Sequence, residues 1–207
     1  MNAIPARVLL VLGAMAVSSC GTVAVIGAGT EVTRTVLQER STMDALKDTE
    51  IQLSLNNNLI SHSTALFADV STDVTEGRVV LTGSVPTRAD KVTATGIAWK
   101  TADVLSVTDE LVVAEDSGAV AYAEDAWISN RLRLMLLADA DIRSVNYNVE
   151  TVDKVVHVTG LARSGNELGR VLEHARGVSG VARVVSHVLT LDDPRRNVAG
   201  RGNKPTG

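Results

Sequence analysis

The chain has 207 residues, a formal net charge of −4, 2 % aromatic residues and a single cysteine. An acidic, aromatic-poor chain lacks the basic surface and stacking platforms that nucleic acid requires. One cysteine permits no internal disulfide, so its thiol serves another purpose.

In chain order, Arg7 precedes an apolar run, Val8 to Val17, and then Ser18 and Ser19. A charge, a short apolar core and a small-residue exit predict a secretory signal peptide over 1–19; a membrane span needs about 20 apolar residues. Val17-Ser18-Ser19-Cys20 resembles the bacterial lipobox, which implies cleavage before Cys20 and acyl chains added to it. The segment that follows, Val23 to Ile26 and then Gly27-Ala28-Gly29, imitates the start of a dinucleotide-binding βα unit. The fingerprint's third glycine is missing where Val32 stands, and no βαβ unit surrounds it. Residues 20–47 therefore read as a lipidated N-terminus and tether.

From Asp48 the chain repeats itself without gaps at an offset of 77 residues. Asp48, Ile51 and Leu55 fall on Asp125, Ile128 and Leu132; Val79, Thr82 and Gly83 fall on Val156, Thr159 and Gly160. Ala98, Val104 and Val107 fall on Ala175, Val181 and Val184. Each copy begins with an amphipathic helix, carrying Ile51, Leu55 and Leu59 or Ile128, Leu132, Met135 and Leu136 on one face. Two alternating strands follow, meeting at Glu76-Gly77 or, as a weaker turn, at Asp153-Lys154. A second helix over 88–102 or 164–177 and a closing β-rich run, Val104 to Val113 or Val181 to Leu191, complete the unit. The fold class is α+β: two tandem αββαβ units, each with two helices packed on a small three-stranded mixed sheet. The units occupy 48–113 and 125–191, with a linker at 114–124. Residues 192–207, rich in Pro, Gly, Asn and Arg, have little to bury and read as a disordered tail.

This element order, the hairpin, the glycine and the closing "ARGVSGVARVVSHVLT" resemble the BON domain of bacterial envelope proteins. With the lipobox and tether, the whole is similar to the dual-BON outer-membrane lipoproteins of the DolP type. Copy one departs from the pattern at Asp103, where a glycine ordinarily stands before the last strand. The resemblance implies a non-enzymatic protein, lipid-anchored on the periplasmic face of the outer membrane, that binds phospholipid and supports envelope integrity. Gly21, which is not the aspartate that retains such lipoproteins in the inner membrane, agrees with outer-membrane sorting. No cofactor is implied beyond the acyl chains on Cys20.

Nothing in the sequence marks an active site. His62, His157, His174 and His187 are scattered without metal-ligand spacing, and no nucleophile elbow or phosphate loop occurs. The copies differ, however, in charge. Residues 48–113 carry four basic and nine acidic side chains, whereas residues 125–190 carry eight and seven. On the first helix of copy two, Trp127, Asn130, Arg131 and Leu134 form a second stripe beside the core face. Copy one has Glu50, Leu53, Ser54 and Asn57 at those positions. An indole and a guanidinium suit a bilayer interface, so the stripe is the candidate site for anionic phospholipid. The alternative use of Trp127 and Leu134 is packing between the two units; Trp99 is assigned to core or inter-unit packing. The rival function is a protein-interaction adaptor for outer-membrane assembly or cell-wall machinery, with outer-membrane or division-site proteins as partners.

Overall fold

The computed structural model describes residues 42–114 and 119–196. The predicted signal peptide, Cys20, the tether as far as residue 41 and residues 197–207 lie outside the described residues.

In repeat one, α1 (Thr42–His62) is followed by a short α2 (Thr64–Asp69), then β1 (Val70–Thr75), β2 (Arg78–Val85), α3 (Arg88–Lys100), β3 (Ser106–Asp109) and β4 (Val112–Val113). Repeat two comprises α4 (Ala119–Ala138), a 3-10 turn (Ser144–Asn146), β5 (Tyr147–Val152), β6 (Val155–Ala162), α5 (Gly165–Gly177), β7 (Arg183–Ser186) and β8 (Leu189–Thr190). In each sheet the middle strand pairs antiparallel with the first and parallel with the last two, and every pairing recurs at the 77-residue offset.

Several boundaries differ from expectation. Helix α1 begins at Thr42 and α4 at Ala119, so the ends of the predicted tether and linker are helical. The single closing run divides into two short strands on the same edge, β3 with β4 and β7 with β8. The break coincides with the end of the hairpin, where Gly83 and Gly160 take φ of 122° and 123°. A Cβ at either glycine would collide with a backbone carbonyl, that of Asp69 or Asn146, so only glycine fits.

The two turns are pinned in the same way. Asp48 accepts hydrogen bonds from the N–H groups of Glu76 and Gly77, both at 2.8 Å. Asp125 accepts from Asp153 and Lys154 at 2.7 and 2.9 Å. Both turns hold two consecutive residues at positive φ, the geometry of a tight hairpin; in repeat two this includes Lys154, at 63°. Asp103 adopts φ 62° where Gly180 has 88°, so the turn is retained without the glycine. Aspartate tolerates this region better than most side chains do.

Each repeat closes its own core. Ile51, Leu55 and Leu59 meet Val79, Leu81, Ala94 and Ala98; Ile128, Leu132 and Leu136 meet Val156, Val158, Val171 and Ala175. The alternate residues of the middle strands, Val80 and Thr82, His157 and Thr159, point away from these cores and are nevertheless buried. They are covered because the helix-free faces of the two sheets face one another. Ser71, Asp73, Val80 and Thr82 line a narrow cleft with Asn148, Glu150, His157 and Thr159, their equivalents in the repeat. The interface thus has the self-complementary character of a two-fold dimer built into one chain.

The beginning of the predicted disordered tail also belongs to this assembly. Residues 194–196 form a 3-10 turn, and the Arg196 guanidinium clasps the Glu76 carboxylate of repeat one at 2.7 to 3.0 Å. A bidentate arginine–carboxylate pair gives this segment a partner that composition does not reveal.

Candidate functional site

Helix α4 carries two stripes because its outward residues repeat nearly in phase with the inward ones. Ile128, Leu132 and Leu136 are buried, and Ser129 is also buried, donating to Thr151 Oγ1 at 2.8 Å. Trp127 and Leu134 remain 55 % and 60 % exposed. Seven residues of helix separate them by about 10 Å. Arg131 is exposed between them and forms no hydrogen bond or ion pair among the described residues. Asn130 accepts a hydrogen bond from Arg133 at 3.2 Å, so its carbonyl oxygen is already engaged. Together with Met135 and the end of α5 at Gly177, Val178 and Ser179, the four predicted residues line one shallow groove.

This groove lies on the helical side of repeat two, whereas the inter-repeat contact is made by the sheets. The packing of Trp127 and Leu134 between the units is therefore not observed. On α1 of repeat one the equivalent positions Glu50, Ser54 and Asn57 are exposed and polar. Leu53 is exposed in line with Leu46 and Ile60, so α1 presents an aliphatic row without an indole or a guanidinium beside it. Trp99 corrects another expectation. It is 41 % exposed on α3 rather than in a core or interface, and it lines a groove with Arg88, Val92 and Val113. Its helix turns Ala94, Ile97 and Ala98 to the core, and position 99 lies about 100° round the helix from Ala98.

The BON domain family matches residues 47–115 and 124–191. The chain is a tandem BON-domain protein. Its relatives include an uncharacterized protein in the gshII 5′ region of Anaplasma centrale, 35 % identical over 144 residues, 69 % of this chain and 94 % of that one. Osmotically-inducible protein Y of Escherichia coli is 29 % identical over 147 residues, 70 % and 73 % of the two chains. Outer membrane lipoprotein DolP of Haemophilus influenzae is 23 % identical over 188 residues, 90 % and 96 % of the two chains. The arrangement of two BON domains is that of the DolP type, and repeats one and two are hereafter BON1 and BON2.

No helix among the described residues is long and apolar enough to cross a membrane. The groove on BON2 sits in a domain with more basic than acidic side chains, opposite an acidic BON1.

The histidines are not all isolated, as their spacing suggests. His157 on β6 and His187 after β7 stack with ring centroids 6.4 Å apart and planes within 5°. Glu110 of BON1 reaches His187, with Oε1 3.2 Å from Nε2. Burial, foremost, holds the His157 imidazole below its ordinary pKa; Glu110 opposes this, and His187 and Arg183 add to it. Glu150, directly across the ladder from His157, has its carboxyl pushed up by burial, against the pull of Arg133. Sequence spacing hides this group, because Glu110 and the histidines come from separate elements. The repeat offset was the available signal, since Glu110 and His187 are equivalent positions.

Proposed function

We propose that this chain is a non-enzymatic, lipid-anchored envelope protein on the periplasmic face of the outer membrane. In this reading its BON2 groove binds anionic phospholipid and thereby supports membrane integrity. Its similarity to an outer membrane lipoprotein supports the compartment. The observation that carries the binding site is the exposure of Trp127 and Leu134 beside Arg131, which has no partner among the described residues, away from the other domain.

Magnitudes separate anchoring from recognition. Each buried CH₂ of an acyl chain contributes about 0.8 kcal/mol, so several chains on Cys20 hold the protein to the bilayer by themselves. Partial burial of Trp127 and Leu134 adds about 1–3 kcal/mol, and Arg131 near an anionic surface about 1 kcal/mol. These are orienting energies. They lay α4 on the headgroups and turn acidic BON1 away.

The test uses a chain lacking residues 1–19, with Cys20→Ala to remove acylation and Trp99→Phe to leave Trp127 as the sole fluorophore. A blue shift with phosphatidylglycerol vesicles but not phosphatidylcholine vesicles, lost in Arg131→Glu, is the expected result. A folded sample that shows no shift with either vesicle overturns the site. The adaptor reading draws on the separate exposed groove of BON1 around Val92 and Trp99. A protein partner captured without lipid and released by Val92→Glu would favour it.

A further inference from the structure

A buried imidazole nitrogen without a hydrogen bond is uncommon, and it calls for a water, an ion or a role. His157 is 3 % exposed, and its Nδ1 has no hydrogen-bond partner among the described residues. His187 Nε2 is likewise buried, and its approach to Glu110 is not aligned as a hydrogen bond. Two unsatisfied imidazoles and a carboxylate thus converge at one point of the domain interface.

The topology explains the convergence. His157 pairs in register with Val185, so His187, two residues on, is its diagonal neighbour on the same face of the BON2 sheet. The backbone N–H of His187 is anchored to the Val158 carbonyl at 2.8 Å, and that of Glu110 to the Leu81 carbonyl at 2.9 Å. These anchors are equivalent in the two repeats, so the internal two-fold brings Glu110 to His187. At the other equivalent pair, BON1 contributes Val80 where BON2 contributes His157. The site therefore has three ligating side chains rather than four.

We propose that Glu110, His157 and His187 bind one divalent transition-metal ion, such as zinc, which clamps BON1 to BON2. One ligand atom from each residue lies within 4.8 Å of the other two. Zinc–nitrogen bonds of about 2.0–2.1 Å place each ring centroid about 3 Å from the ion, so two ligating rings stand about 5–6 Å apart. The observed 6.4 Å between nearly parallel rings requires the side chains to move inward and at least one ring to rotate, so that both in-plane nitrogen lone pairs meet at the ion. Two imidazoles and a carboxylate suit zinc over calcium or magnesium, which prefer all-oxygen shells, and they leave a fourth position for water. Arg183, on the same face of β7, opposes a cation; it is solvent-exposed, and Glu110 and Glu150 supply the compensating charge.

The experiment takes the full chain in detergent, stripped with a chelator, and titrates it calorimetrically with zinc chloride at neutral pH. One ion per chain is expected, with a rise in Tm of about 5–10 °C when zinc exceeds its Kd by 100-fold. Glu110→Gln and His187→Gln are expected to weaken binding by at least about 100-fold while leaving the metal-free Tm near that of the wild type. His174→Gln, at a ring that instead contacts the Asp139 carboxylate at 2.8 Å, is expected to bind as the wild type does. Absence of one-to-one binding, or binding lost in His174→Gln and kept in His187→Gln, would overturn the site. Should a ligand variant fail to fold, wild-type chain titrated with cobalt chloride decides the matter. The intense visible band of four-coordinate cobalt supports the site, and no saturable band refutes it.

Discussion

Helices α1 and α4 occupy equivalent places in one duplicated fold and have diverged on one side only. Inward they keep the same buried rows, Ile51-Leu55-Leu59 and Ile128-Leu132-Leu136, because close-packed cores tolerate little change in volume. Outward, Glu50, Leu53, Ser54 and Asn57 stand against Trp127, Asn130, Arg131 and Leu134. The fold constrains the first set and leaves the second free to carry function. That is why the difference between the copies, rather than their likeness, locates the proposed membrane contact.

The largest effects are expected where the copies are alike. Leu55→Ala and Leu132→Ala each empty a fully buried position and should each cost about 2–5 kcal/mol by urea unfolding. A cost confined to one repeat would show that the two cores are not equivalent.

Next comes a position where they differ. Glu167 of BON2 is buried and accepts from the N–H groups of Arg143 and Arg163, at 2.9 and 3.1 Å, and from the Arg163 side chain at 2.7 Å. Burial pushes its carboxyl up, and these donors outweigh it to leave the pKa below the ordinary value. Its BON1 equivalent, Asp90, instead shares a partly exposed cap with Thr87. Glu167→Ala should cost about 2–4 kcal/mol, because buried donors lose their acceptor. Asp90→Ala should cost about 0.5–1 kcal/mol, as a cap does. Equal losses in urea unfolding would contradict the difference in burial.

The hairpin turns give an effect of opposite sign. Lys154→Gly relieves a left-handed residue and should stabilise by about 0.5–1 kcal/mol, whereas Gly77→Ala imposes that strain and should destabilise by about 1 kcal/mol or more. Thermal melts of the two variants check the pair.

The last prediction concerns acid. The hydrogen bond from His174 at 2.8 Å, aided by Arg170, lowers the pKa of Asp139 from 3.8 to about 2. A depressed folded-state pKa stabilises above the unfolded value, and that contribution disappears as pH falls from about 4 to 2. Asp139→Asn should therefore flatten the acid limb of stability between pH 4 and 2. BON1 has exposed His62 at the equivalent position, with no corresponding contact among the described residues. An unchanged acid limb in Asp139→Asn would remove this asymmetry.

Local periodicity determined much of this protein from the sequence alone. The 77-residue repeat, both hairpins, the buried rows and the outward stripe at Trp127 follow from spacings of 2 and 3.6 residues, which neighbouring positions encode. Tertiary structure decided which outer surfaces became inner ones. Each sheet has a second face, and alternation along β2 or β6 cannot say whether Val80 or His157 meets water or another sheet. Docking the repeats face to face buried those residues and drew Glu110, His157 and His187 together. It left Trp127 clear of the other repeat and gave Arg196 a partner 120 positions earlier in the chain. These outcomes depend on the juxtaposition of surfaces distant in sequence, and a periodicity read within one element carries no information about what packs against it.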